Sequence, residues 1–121
     1  MKYLFIAMGG ALGAVLRFFI SSLLYAASNG NFPWGVLTVN VLGSFILALF
    51  VGFTGGEQSA WYFFLAVGLL GAFTTFSTFS HETFILFKMS SHGLAVLNMV
   101  ANMGLGLSVV IGGFYLGEYL R

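Results

Sequence analysis

The stretch Gly71-Ala72-Phe73-Thr74-Thr75-Phe76-Ser77-Thr78-Phe79-Ser80 places five hydroxyl side chains and a glycine in the middle of an apolar segment. That segment runs from about Ala60 to about Met89, some 30 residues, whereas a simple membrane-spanning helix needs about 20. An unpaired polar group in hydrocarbon costs several kcal/mol, so such a run is tolerated only where it is buried in protein or lines a pathway. The run therefore predicts a break in a membrane helix and is the first candidate for the functional centre.

Composition places the whole chain in a lipid bilayer. Of its 121 residues, 60% are hydrophobic and 6% are charged, which leaves too few charges to solvate a globular surface. The net charge of +1 gives no basic face for nucleic acid. The chain has no cysteine, which excludes disulfides, thiolate metal sites and cysteine nucleophiles.

Polar turns divide the chain into four apolar spans. The turns are Ser28–Asn31, followed by Pro33, then Gly55–Gln58, and then Ser90–Gly93. The spans cover about residues 3–27, 34–54, 60–89 and 94–120. We predict an all-α membrane protein in which residues 1–121 form a single domain of four transmembrane helices, the third broken in the middle of the membrane.

Glycines spaced four residues apart predict close packing between these helices. The pairs are Gly9 with Gly13, Gly52 with Gly56, and Gly113 with Gly117. Small residues one turn apart let helix backbones approach closely. We interpret them as packing positions with no part in ion movement.

The charges at the ends of the spans give almost no orientation signal. With four spans, Lys2 and Arg121 lie on one side of the membrane and Lys88 on the other, a bias that is very weak under the positive-inside rule. Such a chain is able to insert in both directions, and oppositely inserted copies can pair. Four short helices with one polar stripe also enclose a pore poorly, so we expect a homodimer.

Arg17 and Asn40 each have two interpretations. Arg17 lies inside the first span, where a guanidinium is costly, either as an anchor that reaches the headgroups or as a fixed positive charge that concentrates anions in a vestibule. Asn40 lies inside the second span and shares a face with Ser44. Its amide either joins two helices or donates to an ion in place of water.

Phe76, Phe79 and Glu82 follow in or after the polar run. The two phenylalanines are three residues apart, so in a regular helix they share a face, where they either pack or turn a positive ring edge toward an anion. Glu82 is either a polar cap where the third helix leaves the hydrocarbon or a gate near a pore mouth. Asn98 and Asn102 share a face of the fourth helix and are further candidates for the pathway.

Nothing in the chain indicates an enzyme. His81 and His92 lack a third ligand at metal-binding spacing. There is no arrangement of nucleophile, base and orienting group, and no phosphate loop. We therefore predict that the protein is not an enzyme and has no catalytic residues.

Three blocks of sequence, in order, resemble the signature of the Fluc (CrcB) fluoride channels. The blocks are Gly9-Gly10-x-x-Gly13-Ala14-x-x-Arg17-Phe18, Gly35-x-Leu37-x-Val39-Asn40-x-x-Gly43-Ser44-Phe45, and Gly71-x-x-Thr74-Thr75-Phe76-Ser77-Thr78-Phe79. The resemblance covers nearly the whole chain. It implies an antiparallel, dual-topology homodimer in the inner (plasma) membrane, with two pores that export fluoride from the cytoplasm.

The resemblance also implies roles for particular residues. The backbone carbonyls of Gly71 and Thr74 match those that hold one structural Na⁺ at the dimer centre. The fluoride pathway is implied for the vestibule arginine, the pore asparagine, the phenylalanine pair and the nearby hydroxyls and acid, which are Arg17, Asn40, Phe76, Phe79, Ser77, Thr78, Ser80 and Glu82.

The chain departs from the family pattern in two places. Val36 stands where the family commonly has threonine. The fourth span carries Asn98, Asn102, Gly106 and Val110 where family members have a track of tyrosine, serine and threonine. The alternative function is a small dual-topology transporter of the multidrug type, which needs a titratable carboxylate in its first span, and this first span has none.

Overall fold

The computed structural model describes residues 1–121 and contains four helices long and apolar enough to cross a membrane. These helices are Lys2–Ala27, Trp34–Thr54, Tyr62–Lys88 and His92–Leu120. They confirm the prediction of an all-helical protein with four membrane-spanning helices. Ala60 and Trp61 are also helical and lead into the third helix, as expected, and the fourth begins at His92, two residues before Leu94. The first two are named α1 (Lys2–Ala27) and α2 (Trp34–Thr54).

The third span is built from three segments. A π-helix covers Tyr62–Leu70, a short α3 covers Gly71–Phe73, and α4 covers Phe76–Lys88. The N–H of Gly71 donates to the carbonyl of Ala66, five residues earlier, as the wider π-helical turn requires. Between α3 and α4, Thr74 (φ −82°, ψ 155°) and Thr75 (φ −150°, ψ 118°) have extended backbone. Thr74 and Thr75 are called the extended pair below.

The last helix, α5 (His92–Leu120), packs along α2, and α1 packs along the π-helix. Only 22 of the 121 residues are buried, and most large apolar side chains face outward. An apolar outer surface of this kind is suited to lipid tails or to a second copy of the chain. Arg121 lies beside Gly55 in the loop between α2 and the third span, so the C-terminus and this loop lie on the same side, as four spans require.

Five of the six paired glycines lie at close backbone contacts between helices. A Cβ at Gly9 or Gly13 would meet the carbonyl of Phe64 or Leu69 in the π-helix. Gly52, Gly113 and Gly117 bring α2 and α5 together, where a Cβ would meet the carbonyls of Phe114, Phe45 and Leu49 respectively. The sixth, Gly56, lies beyond the end of α2 with φ +74°, so it serves a left-handed turn rather than helix packing.

Substitution of Gly117 tests the contact between α2 and α5. We expect Gly117→Ala to destabilise the protein by about 1–3 kcal/mol, because the methyl group overpacks a backbone contact. Gly112→Ala is the matched control on the same helix, since a Cβ there meets nothing within 4 Å. The control should be neutral or slightly stabilising, since alanine favours helix by up to about 1 kcal/mol over glycine. Thermal unfolding in detergent followed by circular dichroism measures both, and equal midpoints would contradict the packing assignment.

Candidate functional site

Asn40 of α2 holds the extended pair through two hydrogen bonds to the backbone of Thr75. The N–H of Thr75 donates to Asn40 Oδ1 at 2.8 Å, and Asn40 Nδ2 donates to the carbonyl of Thr75 at 3.1 Å. In a continuous α-helix the N–H of Thr75 would donate to the carbonyl of Gly71. Asn40 therefore accepts the N–H that would otherwise donate to the Gly71 carbonyl, and that carbonyl is left without its helical donor.

The side chain of Thr75 starts the next helix. Its Oγ1 accepts the N–H of Thr78 at 3.2 Å, which makes Thr75 the N-cap of α4. In a continuous helix the N–H of Thr78 would donate to the carbonyl of Thr74, so this second carbonyl also loses its helical donor. Gly43 of α2 leaves room for the extended pair, because a Cβ there would lie 2.6 Å from Thr74 Cγ2.

The extended pair borders a cavity of about 210 Å³, called here the phenylalanine cavity. The rings of Phe76 and Phe79 line it with their centroids 5.6 Å apart and their planes tilted by 59°. Phe79 is buried, whereas Phe76 is 71% exposed, so the pair leads from the protomer surface inward. The polar lining residues are Asn40, Ser44, Thr74, Thr75 and Asn102.

Thr75 also lines a second cavity, of about 180 Å³, called here the arginine cavity. Its polar lining residues are Arg17, Ser21, Thr75, Thr78 and Glu82. Three buried atoms here have no hydrogen-bond partner in the protein, namely Arg17 Nε, Ser21 Oγ and Glu82 Oε2. The hydroxyl of Thr78 accepts from Thr75 Oγ1 at 3.0 Å, which leaves its own proton for another acceptor. Buried polar atoms normally have partners, so this cavity is suited to a small polar ligand or water.

Glu82 connects the arginine cavity to a third one at the loop between α1 and α2. This third cavity, of about 310 Å³, is called here the loop cavity, and Asn31, Pro33, His81 and Glu82 contribute to its lining. Each cavity thus shares one lining residue with the next, in the order loop cavity, arginine cavity, phenylalanine cavity. Glu82 belongs to the loop cavity and the arginine cavity, and Thr75 belongs to the arginine cavity and the phenylalanine cavity.

Three of the residues that were candidates for the fluoride pathway lie outside these cavities. Ser80 is exposed and donates to the carbonyl of Phe76 at 2.9 Å. Ser77 is exposed, and its hydroxyl lies 3.3 Å from Thr75 Oγ1. Asn98 is fully buried, with 0% of its surface exposed, and it lines none of the three cavities.

The donors of Asn40 are both used within the protein. Its Nδ2 donates to the carbonyl of Thr75 and also to Asn102 Oδ1 at 2.9 Å. An amide nitrogen has two hydrogens, so none remains for an ion. Of the two interpretations of Asn40, this geometry favours the amide that joins helices.

Sequence reasoning included Thr75 in the polar run without giving it a role of its own, and it missed Ser21 and Thr83. Thr75 precedes the start of α4, and a threonine before a helical segment is an N-cap signal that could have identified it. Ser21 follows Arg17 by four residues in α1, a spacing that places both on one face and could have identified it. Thr83 is buried and accepts a hydrogen bond from Asn98, a pairing that sequence spacing does not reveal.

Comparison with known proteins identifies the family. The family model described as CrcB-like protein, Camphor Resistance (CrcB), matches residues 4–114. The chain is 44% identical to the fluoride-specific ion channel FluC of Shewanella pealeana, over 97% of this chain and 93% of that protein. It is 42% identical to the protein of the same name from Thermus thermophilus, over 98% and 97% of the two chains. For the Dehalococcoides mccartyi protein the identity is 43%, over 99% and 95%. These matches confirm the resemblance seen in the three sequence blocks, and the chain belongs to the CrcB family.

Proposed function

We propose that this protein is a fluoride-selective ion channel in which the loop, arginine and phenylalanine cavities form one path. The observation that carries the proposal is the sharing of Glu82 and Thr75 between successive cavities. The relatives described above are named as ion channels specific for fluoride, which supports a channel rather than an enzyme.

The arginine cavity supplies what a dehydrated fluoride ion needs. Fluoride is small and strongly hydrated, so a selective path must replace its water with hydrogen-bond donors in a narrow bore. Arg17 Nε and the Ser21 hydroxyl are buried without a protein partner, and Thr78 has a free hydroxyl proton. The guanidinium charge raises the local concentration of anions. Glu82 lies at the junction with the loop cavity and acts as the gate of the path.

The phenylalanine cavity continues the path beyond Thr75. The edge of a phenyl ring carries the positive end of its quadrupole, so Phe79 and Phe76 are able to face the anion edge-on while they exclude water. Ser44 adds a hydroxyl donor to the same cavity. Asn40 and Asn102 form its wall, since their amides bond to the protein.

A second copy of the chain completes the path. Phe76, Ser77 and Ser80 are exposed on the protomer, and they contribute to a pore only where a partner covers them. The family resemblance implies the form of that partner, and we propose an antiparallel, dual-topology homodimer with two pores in the inner (plasma) membrane of the cell. The nearly balanced charges of Lys2, Arg121 and Lys88 permit both orientations. In this arrangement the channel exports fluoride from the cytoplasm.

The carbonyls of Gly71 and Thr74 fit the structural Na⁺ that the family resemblance implies. Both lose their helical donors, because the N–H of Thr75 bonds to Asn40 and the N–H of Thr78 bonds to Thr75 Oγ1. Carbonyl oxygens freed by a break in a membrane helix are suitable ligands for Na⁺. Gly71 is also exposed on the protomer, where a carbonyl can meet its counterpart from a partner. When bound, the ion supplies positive charge that offsets these unpaired carbonyls.

Selective flux tests the proposed function. Reconstituted protein should collapse a fluoride gradient across liposomes, leave a chloride gradient nearly unchanged, and need no proton gradient. Phe79→Ile should reduce fluoride flux by about tenfold or more, because an aliphatic side chain lacks the positive edge that takes the place of water. An ion-selective electrode measures the efflux.

Phe84→Ile is the matched control on α4. Phe84 lies on the same helix but is 61% exposed and lines none of the three cavities, so its flux should equal that of the wild type. Chloride efflux as fast as fluoride efflux, or equal fluoride flux in the two variants, would contradict the proposed path.

Sodium removal tests the cation site. Dimer purified with N-methyl-glucamine in place of Na⁺ should unfold at a lower temperature, and added NaCl should restore the midpoint. A ligand at 100 times its Kd stabilises the folded state by about 2.7 kcal/mol. Thr74→Ser should keep the full response, since a carbonyl is the ligand. A midpoint that does not depend on Na⁺ would refute the site.

A further inference from the structure

We propose that Thr83, Asn98 and Asn102 form a hydrogen-bonded relay that fixes the orientation of Asn40 and thereby positions the extended pair. In this inference Asn98 and Thr83 are positioning residues and do not contact the permeating ion. The flux measurement that tests the relay rests on the proposed function. A second measurement, on the amide of Thr75, does not.

The relay crosses from α2 through α5 to α4. Asn40 Nδ2 donates to Asn102 Oδ1 at 2.9 Å, and Asn102 Nδ2 donates to Asn98 Oδ1 at 2.9 Å and to the Asn98 carbonyl at 3.0 Å. Asn98 Nδ2 then donates to Thr83 Oγ1 at 2.9 Å. The hydroxyl of Thr83 donates to the carbonyl of Phe79 at 2.8 Å. The two ends of the relay thus meet Thr75 and Phe79, which both line the phenylalanine cavity.

The direction of every hydrogen bond in the relay is determined by its ends. The N–H of Thr75 can only donate, so Asn40 must present its oxygen there and keep its nitrogen for Asn102. At the other end the carbonyl of Phe79 can only accept, so the hydroxyl of Thr83 donates its proton to that carbonyl. Thr83 Oγ1 then serves Asn98 as an acceptor alone.

Loss of the Thr83 hydroxyl is therefore expected to affect Asn40 and Thr75, which it does not contact. Without that acceptor, the Asn98 amide is free to turn and to present its nitrogen to Asn102. A donor would then face a donor, which breaks the bond between Asn102 Nδ2 and Asn98 Oδ1. Asn102 Nδ2 would keep only its bond to the Asn98 carbonyl, so the oxygen that Asn102 offers to Asn40 would be held less firmly. A change at one residue of a buried polar network affects the others, because no water is present to replace a lost hydrogen-bond partner.

The burial of Asn98 and Thr83 shows that they can act on the permeating ion only by positioning other residues. Asn98 is 0% exposed and Thr83 is 7% exposed, and neither lines the three cavities. Asn102 does line the phenylalanine cavity, but its oxygen accepts from Asn40 and its nitrogen donates to Asn98. An effect of Asn98 or Thr83 on flux must therefore be transmitted through the relay.

Thr83→Val tests the relay, with Thr54→Val as the matched control. Valine keeps the shape of threonine and removes the hydroxyl. Thr54 makes the same local bond, its hydroxyl donating to the carbonyl of Phe50 at 2.9 Å, but accepts from no other side chain. We expect Thr83→Val to lower fluoride flux by about tenfold, the scale of one hydrogen bond, while Thr83→Ser and Thr54→Val conduct like the wild type. Wild-type flux in Thr83→Val would overturn the relay.

Hydrogen exchange at the amide of Thr75 gives the independent measurement, by nuclear magnetic resonance on protein labelled with ¹⁵N-threonine. We expect faster exchange at Thr75 in Thr83→Val and unchanged exchange in Thr54→Val. Unchanged exchange at Thr75 in both variants would overturn the relay, even if the wild type carried no fluoride and the proposed function itself failed. If Thr83→Val does not yield folded protein, Asn98→Ser, whose side chain is too short to reach Thr83, is measured in its place with the same expectations.

Discussion

The fold around the site depends on one backbone N–H that bonds to a side chain instead of to its usual helical carbonyl. The N–H of Thr75 bonds to Asn40 instead of the carbonyl of Gly71. Because the side chain of Thr75 also accepts the N–H of Thr78, two of the helical bonds that would cross Thr74 and Thr75 are replaced by side-chain bonds. In hydrocarbon a helix cannot be interrupted without such replacements, since an unpaired backbone group costs several kcal/mol. The extended pair, the freed carbonyls of Gly71 and Thr74, and the wall shared by two cavities all follow from this change of partners.

The glycine contacts make that exchange possible. Gly113 and Gly117 bring α5 against the backbone of α2, and this close approach lets the amides of Asn102 and Asn40 meet at 2.9 Å. Hydrophobic attraction between helices is weak in lipid, so close packing and polar bonds between helices determine their association. Packing and polar hydrogen bonds are therefore linked in this protein, since Asn40 on the α2–α5 pair holds Thr75 in the polar run of the third span.

Hydropathy and polar turns were sufficient to predict the four helices, because a bilayer requires long apolar segments with little ambiguity. The family resemblance, rather than the spacing of the residues, assigned Arg17, Asn40, Phe79 and Glu82 to one pathway. It did not reveal that Asn40 uses both donors on the protein, or that Ser77 and Ser80 face outward. Those features depend on which side chain forms a hydrogen bond with which backbone group. Such pairings join residues 35 and 62 positions apart in the chain, beyond what local periodicity describes.

The site depends on an extended backbone at Thr74 and Thr75 between helical neighbours. Solid-state nuclear magnetic resonance on ¹³C-threonine-labelled protein in liposomes tests it directly, because Cα and Cβ shifts report backbone conformation. The chain has six threonines. We predict extended shifts for Thr74 and Thr75 and helical shifts for the remaining four, which are Thr38, Thr54, Thr78 and Thr83. Helical shifts for all six would contradict the account.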